Sequence, residues 1–183
     1  PKLSDYARAA QARTGIRFDL REEPHGRVVL EAHGVCAHAS TPGEGNNAVT
    51  GLLDLLASVP FAESEGYRRL RAVNRLFPHG DWKGAAAGVA AKDAISGELT
   101  MSLNLFDFRE GGLKAYFDGR TPISATNQSL KEPFCARAGA LGLTPDDDGV
   151  SPAHYVPENT PLVRTLLKCY EQYSGRKGKC LAI

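Results

Sequence analysis

The sequence predicts an α+β fold: a two-layer sandwich whose mostly antiparallel sheet carries helices on one face. Three observations lead there. Alternating apolar and polar segments at 16–35 and 97–120 are each broken by a Gly-containing turn, the pattern of hairpins. Amphipathic stretches with capping residues fall between and after them. No regular strand–helix–strand repeat, which a parallel sheet needs, is present. With 183 residues the chain is long enough to bury a core of its own, as one domain or as two small lobes.

Residues 3–14, LSDYARAAQART, predict an alanine-rich helix with Ser4 as the N-cap and Gly15 as the stop. IRFDLRE (16–22) and RVVLEAHGV (27–35) alternate around Pro24-His25-Gly26 and predict a first hairpin. A helix over about 46–59 carries Val49, Leu52, Leu53, Leu55 and Leu56 along one face. A more charged helix follows over 63–77, before Pro78-His79-Gly80. GELTMSLNLFDF (97–108) and LKAYFDGR (113–120), turned by Arg109-Glu110-Gly111-Gly112, make the clearest hairpin. Thr126 or Asn127 caps a helix reaching about residue 141, with Pro133 in its first turns or at a kink. The run from His154 to Gly175 predicts a short strand and a helix over 160–173.

Twenty-two basic and 21 acidic side chains leave a net charge of +1, which offers no electrostatic footprint for nucleic acid or an anionic membrane. The one basic cluster, Arg176-Lys177-Gly178-Lys179, reads as a solvated turn after a helix. No apolar run approaches the ~20 residues of a membrane span. With no charged-then-apolar leader, a cytoplasmic location is expected. Cys36, Cys135, Cys169 and Cys180 lie far apart without a CxxC pair, so buried reduced thiols are expected rather than a zinc knuckle. The chain opens on Pro1 and closes on Leu181-Ala182-Ile183, which has the look of a strand cut short; a fragment of a larger protein is expected.

The residues alone assemble neither a metal site nor an activated nucleophile. His33 and His38 stand five apart across a strand exit, without the shared helical face of HExxH ligands. Asp146-Asp147-Asp148 is turn composition. No GxSxG elbow, phosphate loop or dinucleotide fingerprint occurs. Two polar groups stand out. His38 lies in Ala-His-Ala-Ser, where small neighbours let an imidazole project toward another surface and donate one hydrogen bond. Arg120 closes a strand in Asp118-Gly119-Arg120-Thr121-Pro122, where a guanidinium could grip a carboxylate bidentately.

GVCAHASTPGEGNNAV (34–49) resembles the G-x-x-AHAS-x-P-x-x-G-x-NA signature of the aminoacylase/carnosinase-type zinc metallopeptidases, specifically the PepV-like dipeptidases. Three further anchors resemble the same family in the same order: GELTMSLNLFDF its G-x-LT strand, LKAYFDGRTPIS its RYP strand, and HYVPENTPLV its HYVP-x-x-x-PLV segment. The resemblance implies the ferredoxin-like lid or dimerisation domain of a larger dipeptidase, over residues 1–156, with 157–183 returning into a catalytic domain. That catalytic domain would hold two zinc ions. The family's His-x-Asp motif, Glu-Glu pair and later zinc-binding histidine have no counterparts here, so no metal ligand is expected in this chain, and the fragment by itself is expected to be inactive.

Position by position, the resemblance implies that His38 stabilises the oxyanion forming at the scissile carbonyl. It implies that Arg120 binds the substrate's C-terminal carboxylate. The expected partners are a dipeptide substrate, the protein's own catalytic domain and, through a sheet edge, a second copy of the chain. Two departures bear on substrate range: Ser102 and Asn104 replace the asparagine and glycine of the family's LT-x-N-x-G strand, and Thr121 replaces the tyrosine of RYP. The alternative is a stand-alone α+β module that dimerises or binds a ligand without catalysis.

Overall fold

The alanine-rich opening segment folds as α1 (Leu3–Thr14) in a computed structural model of the chain, which describes residues 2–146, 151 and 153–180. Lys2, not Ser4, takes the N-cap position: its N–H donates to the Asp5 carboxylate at 2.8 Å, and the Asp5 N–H returns a bond to its carbonyl. Gly15 stops the helix in the left-handed conformation, at φ 71°. β1 (Arg17–Glu23) and β2 (Arg27–His33) pair antiparallel around Pro24–Gly26, with Arg17 opposite His33 and Glu23 opposite Arg27. Ala7, Ala10, Ile16 and Phe18 bury against Leu55 and Val59 of the next helical segment, forming the smaller of two cores.

α2 (Ala48–Ser58) starts at Asn47, whose carboxamide oxygen accepts the N–H groups of Val49 and Thr50. α3 (Glu65–Leu76) is capped by Ser64. A small ribbon, β3 (Lys92–Asp93) with β4 (Gly97–Glu98), precedes the long pair β5 (Thr100–Arg109) and β6 (Gly112–Arg120). α4 (Asn127–Ala140) is capped by Thr126, with Pro133 near the end of its second turn. The larger core joins Leu53 of α2 and Leu70, Val73 and Leu76 of α3 to Leu99, Met101 and Leu103 along the start of β5, with Leu130 and Ala138 of α4. α5 (Pro161–Ser174) begins on a proline and ends at Gly175 in the left-handed conformation; the basic residues after it, Arg176, Lys177 and Lys179, are exposed, as in a solvated turn. 

The chain is therefore a small α+β domain with antiparallel strand pairing, as its alternation implied. The described strands pair as three two-stranded ribbons. Among the described residues, no helix is long and apolar enough to cross a membrane. Besides the Ser4 cap, two expectations fail. The strand expected near His154 does not form: Tyr155 and Val156 are exposed, and the segment finds no ladder partner among the described residues. The thiols are free but not buried: Cys36 lies in an exposed loop, Cys169 on a helix without buried residues, and Cys180 in the exposed tail, while Cys135 is half-buried. The readings placed on Asp147 and Asp148 and on the closing triplet 181–183 lie outside the described residues.

Candidate functional site

Backbone closure builds the loop that carries His38. Val35 and Asn46 exchange N–H···O bonds of 2.9 and 2.8 Å, pinning the two ends together. The flanking glycines are needed for that approach. A methyl group on Gly34 would lie 2.2 Å from the Asn46 carbonyl oxygen, and one on Gly45 would lie 2.6 Å from that of Val35. Inside the loop, the Thr41 N–H bonds the His38 carbonyl at 2.9 Å, and Pro42–Glu44 makes a short 3-10 turn. Gly43 lies flat against Trp82, where a methyl group would meet the indole at 2.9 Å. Gly34, Gly43 and Gly45 thus each have a contact that a side chain would disturb.

His38 is exposed, and its ring orientation is set by Ser40. The Ser40 N–H points at His38 Nδ1 at 3.2 Å, and the Ser40 hydroxyl lies 2.8 Å from the same atom. A backbone N–H can only donate, so Nδ1 accepts, and the neutral ring carries its proton on Nε2. Among the described residues, nothing bonds Nε2. The serine of Ala-His-Ala-Ser therefore presents an outward N–H donor.

Arg120 ends β6 opposite Thr100. Its guanidinium is exposed and makes one long contact, 3.4 Å, to Asp118. Gly119 lets the strands close up before it, since a methyl group there would sit 2.6 Å from the Thr100 carbonyl oxygen. The two candidate residues meet through one side chain. The Thr100 hydroxyl donates to the Ala39 carbonyl at 2.8 Å and accepts the Arg120 N–H at 3.3 Å.

The segments around these residues are held by charge. Below the site, the Asp93 carboxylate accepts the N–H groups of Ser96, Ile95 and Ser124 and the Ser96 hydroxyl. Those bonds, the Ser96 N–H foremost, hold its carboxyl well below the usual carboxylate range. Ser96 Oγ also accepts the Ile123 N–H, so this clamp fixes the chain just past Arg120. The Lys83 ammonium, 2.6 Å away, is the main reason the Glu98 carboxyl is also lowered.

The departures from the family pattern now have places. Ser102 Oγ lies 3.4 Å from the Asn47 carboxamide nitrogen, which donates at 2.9 Å to the Leu103 carbonyl. Asn104 is the extra residue of a β-bulge: Leu103 faces Phe117, but Leu105 faces Tyr116. Its φ is not positive, so the bulge does not demand glycine. Nothing in the structure explains Thr121.

Among the described residues, the zinc ions implied by the resemblance find no fitting donor set. Asp19, Glu31 and His33 do bring donor atoms within 4.8 Å of one another, a grouping that linear spacing hid because it forms across the β1–β2 pair. All three are exposed, and guanidiniums already hold the carboxylates: Arg17 lies 2.8 Å from Asp19 and Arg21 lies 3.2 Å from Glu31. A metal would have to displace both.

Thr100, Asn47 and Trp82 support the site without having been singled out in the sequence. Thr100 and Asn47 do stand within the quoted motifs, as the threonine of G-x-LT and the asparagine of NA, and Asn47 also precedes the α2 apolar face as an N-cap residue does; Trp82 carried no signal.

No family model matches the chain. Over 161 residues, 87% of the chain, it is 31% identical to a Bacillus subtilis (strain 168) protein named a dipeptidase, YtjP. Over 167 residues, 88% of the chain, it is 30% identical to the Beta-Ala-Xaa dipeptidase of Lactobacillus delbrueckii subsp. lactis. A Staphylococcus haemolyticus protein, also named a dipeptidase, is 24% identical over 152 residues, 82% of the chain. The chain spans about a third of the length of these curated relatives: 34%, 33% and 32% in turn.

Proposed function

This chain belongs to the PepV-like dipeptidase family, and from that premise we propose that it is the lid of a cytoplasmic, zinc-dependent dipeptidase. In this reading His38 Nε2 donates to the scissile carbonyl oxygen as it becomes an oxyanion. Arg120 holds the substrate's terminal carboxylate. The observation that carries the proposal is the Ser40 contact to His38 Nδ1, which leaves the one proton of the neutral ring on the outward nitrogen. An oxyanion needs such a donor, already oriented before the charge develops. The exposed guanidinium of Arg120 supports the second role, since among the described residues its one ionic partner is Asp118, a long contact on its own strand.

The zinc ions belong, in this reading, to the rest of the parent polypeptide, and the chain alone is inactive. Residues 157–183 are the return segment. α5 supports this assignment: it buries no residue, and Leu162, Leu166, Tyr170 and Tyr173 stand exposed, ready to be covered by the remainder of the enzyme.

The test is made in the full-length polypeptide. His38→Ala lowers kcat by about 10²–10³, the scale of a lost oxyanion donor. Arg120→Ala raises KM for free-carboxylate dipeptides and leaves their C-terminal amides nearly unaffected. A His38→Ala enzyme within about twofold of its parent, or equal losses on both substrate types for Arg120→Ala, removes the corresponding role.

A further inference from the structure

We propose that Thr100 is a positioning residue whose hydroxyl ties the backbone of the His38 loop to the backbone of Arg120, fixing the spacing between oxyanion donor and carboxylate anchor. The inference rests on the lid reading above. Thr100 is one of three buried polar side chains of the described residues, 7% exposed. Its hydroxyl has a single proton, which goes to the Ala39 carbonyl, so its lone pairs are what remain for the Arg120 N–H. The two bonds are therefore compatible and run in one direction, from Arg120 through Thr100 to the residue after His38. β-Branching restricts the Thr100 χ1 rotamer, so the link is stiff as well as short.

The spacing matters for the substrate. In a dipeptide, the scissile carbonyl and the terminal carboxylate are one residue apart. A donor and an anchor held by one hydroxyl suit that fixed separation and disfavour a tripeptide, whose carboxylate lies a residue further away. Thr100→Val keeps the side-chain shape but supplies neither bond, leaving the Ala39 carbonyl and the Arg120 N–H without their partner. Thr100→Ser keeps the hydroxyl.

In the full-length enzyme, alanylalanine, its C-terminal amide and trialanine serve as probes. Thr100→Val lowers kcat/KM for alanylalanine by about tenfold or more, the cost of a small misplacement of reacting groups. It also narrows the preference for the dipeptide over both other substrates, whereas a general loss of folded enzyme would scale all three alike. Thr100→Ser restores both the rate and the preference to within about twofold of the parent. If Thr100→Val retains the preference, or Thr100→Ser is as damaging, the inference is overturned while the lid reading stands. If His38→Ala and Arg120→Ala are both silent, the lid reading fails and takes this inference with it. Should Thr100→Val fail to fold, the unsubstituted protein still decides. Its Arg120 amide exchanges slowly with solvent by NMR, and exchange at the rate of an open amide overturns the link.

Discussion

Asn47 joins the base of the His38 loop to two elements at once, and its removal separates what each bond contributes. Its carboxamide oxygen accepts the Val49 and Thr50 N–H groups at 2.9 and 3.1 Å, and its nitrogen donates to the Leu103 carbonyl at 2.9 Å. Losing the cap costs about 1 kcal/mol. Orphaning a part-buried carbonyl adds about 1–3 kcal/mol. Asn47→Ala therefore destabilises by about 2–4 kcal/mol, read as a lower urea midpoint at unchanged m. Asn47→Asp divides the sum. It keeps the cap, with a charge the helix N-terminus favours by about 0.3–1 kcal/mol. It also replaces the donor by an oxygen facing the Leu103 carbonyl, so a net loss of about 1–2 kcal/mol remains. An aspartate variant as stable as the parent would refute the role given to the β5 bond, and an alanine variant within about 0.5 kcal/mol would refute both terms.

Two further outcomes follow from the packing and the charges. Gly51→Ala gains about 1 kcal/mol of helix propensity. Its new methyl group would sit 2.5 Å from Ile16 Cγ1 in the smaller core, and overpacking of that kind costs about 1–3 kcal/mol. The variant is expected to melt below the parent, and a higher melting point would show that Ile16 can move aside. Asp93 contributes to the acid limb. Its folded-state carboxyl titrates below the unfolded value of about 4, so its stabilisation is complete above that pH and fades as pH falls toward the depressed folded value. Asp93→Asn should flatten the fall in melting temperature on acidification. Parallel profiles for the two proteins would place the acid sensitivity elsewhere.

Local patterns of the sequence foretold local structure well. The alternation of 17–33 and 100–120 became antiparallel pairs, and Gly15, Thr126 and Gly175 act at helix ends as their types suggest. What stayed hidden depended on neighbours distant in sequence. His154–Val156 has strand-like residues but, among the described residues, no adjacent strand edge, and Cys169 lies on an α5 face that nothing in the described chain covers. The site divides in the same way. His38 and Arg120 could be read because small residues and glycines mark them locally. Their common support could not be read, because it depends on a cross-strand register.

That register turns on Asn104. Counting back from the Gly111 turn, Arg109 faces Gly112 and Leu105 faces Tyr116; an unbroken ladder would then set Met101 against Arg120. The bulge at Asn104 shifts the pairing by one, so Thr100 faces Arg120 instead. The same step reverses which side chains point inward. Leu99, Met101 and Leu103 are buried, Leu105 is 64% exposed, and Phe106 resumes packing against the core. Without the bulge, the core face of β5 and the hydroxyl beside Arg120 would not be available from the same strand. The replacement of the family's glycine by Asn104 is thus tolerated at a position that decides the site's geometry, because the bulge needs an extra residue there and not a positive φ.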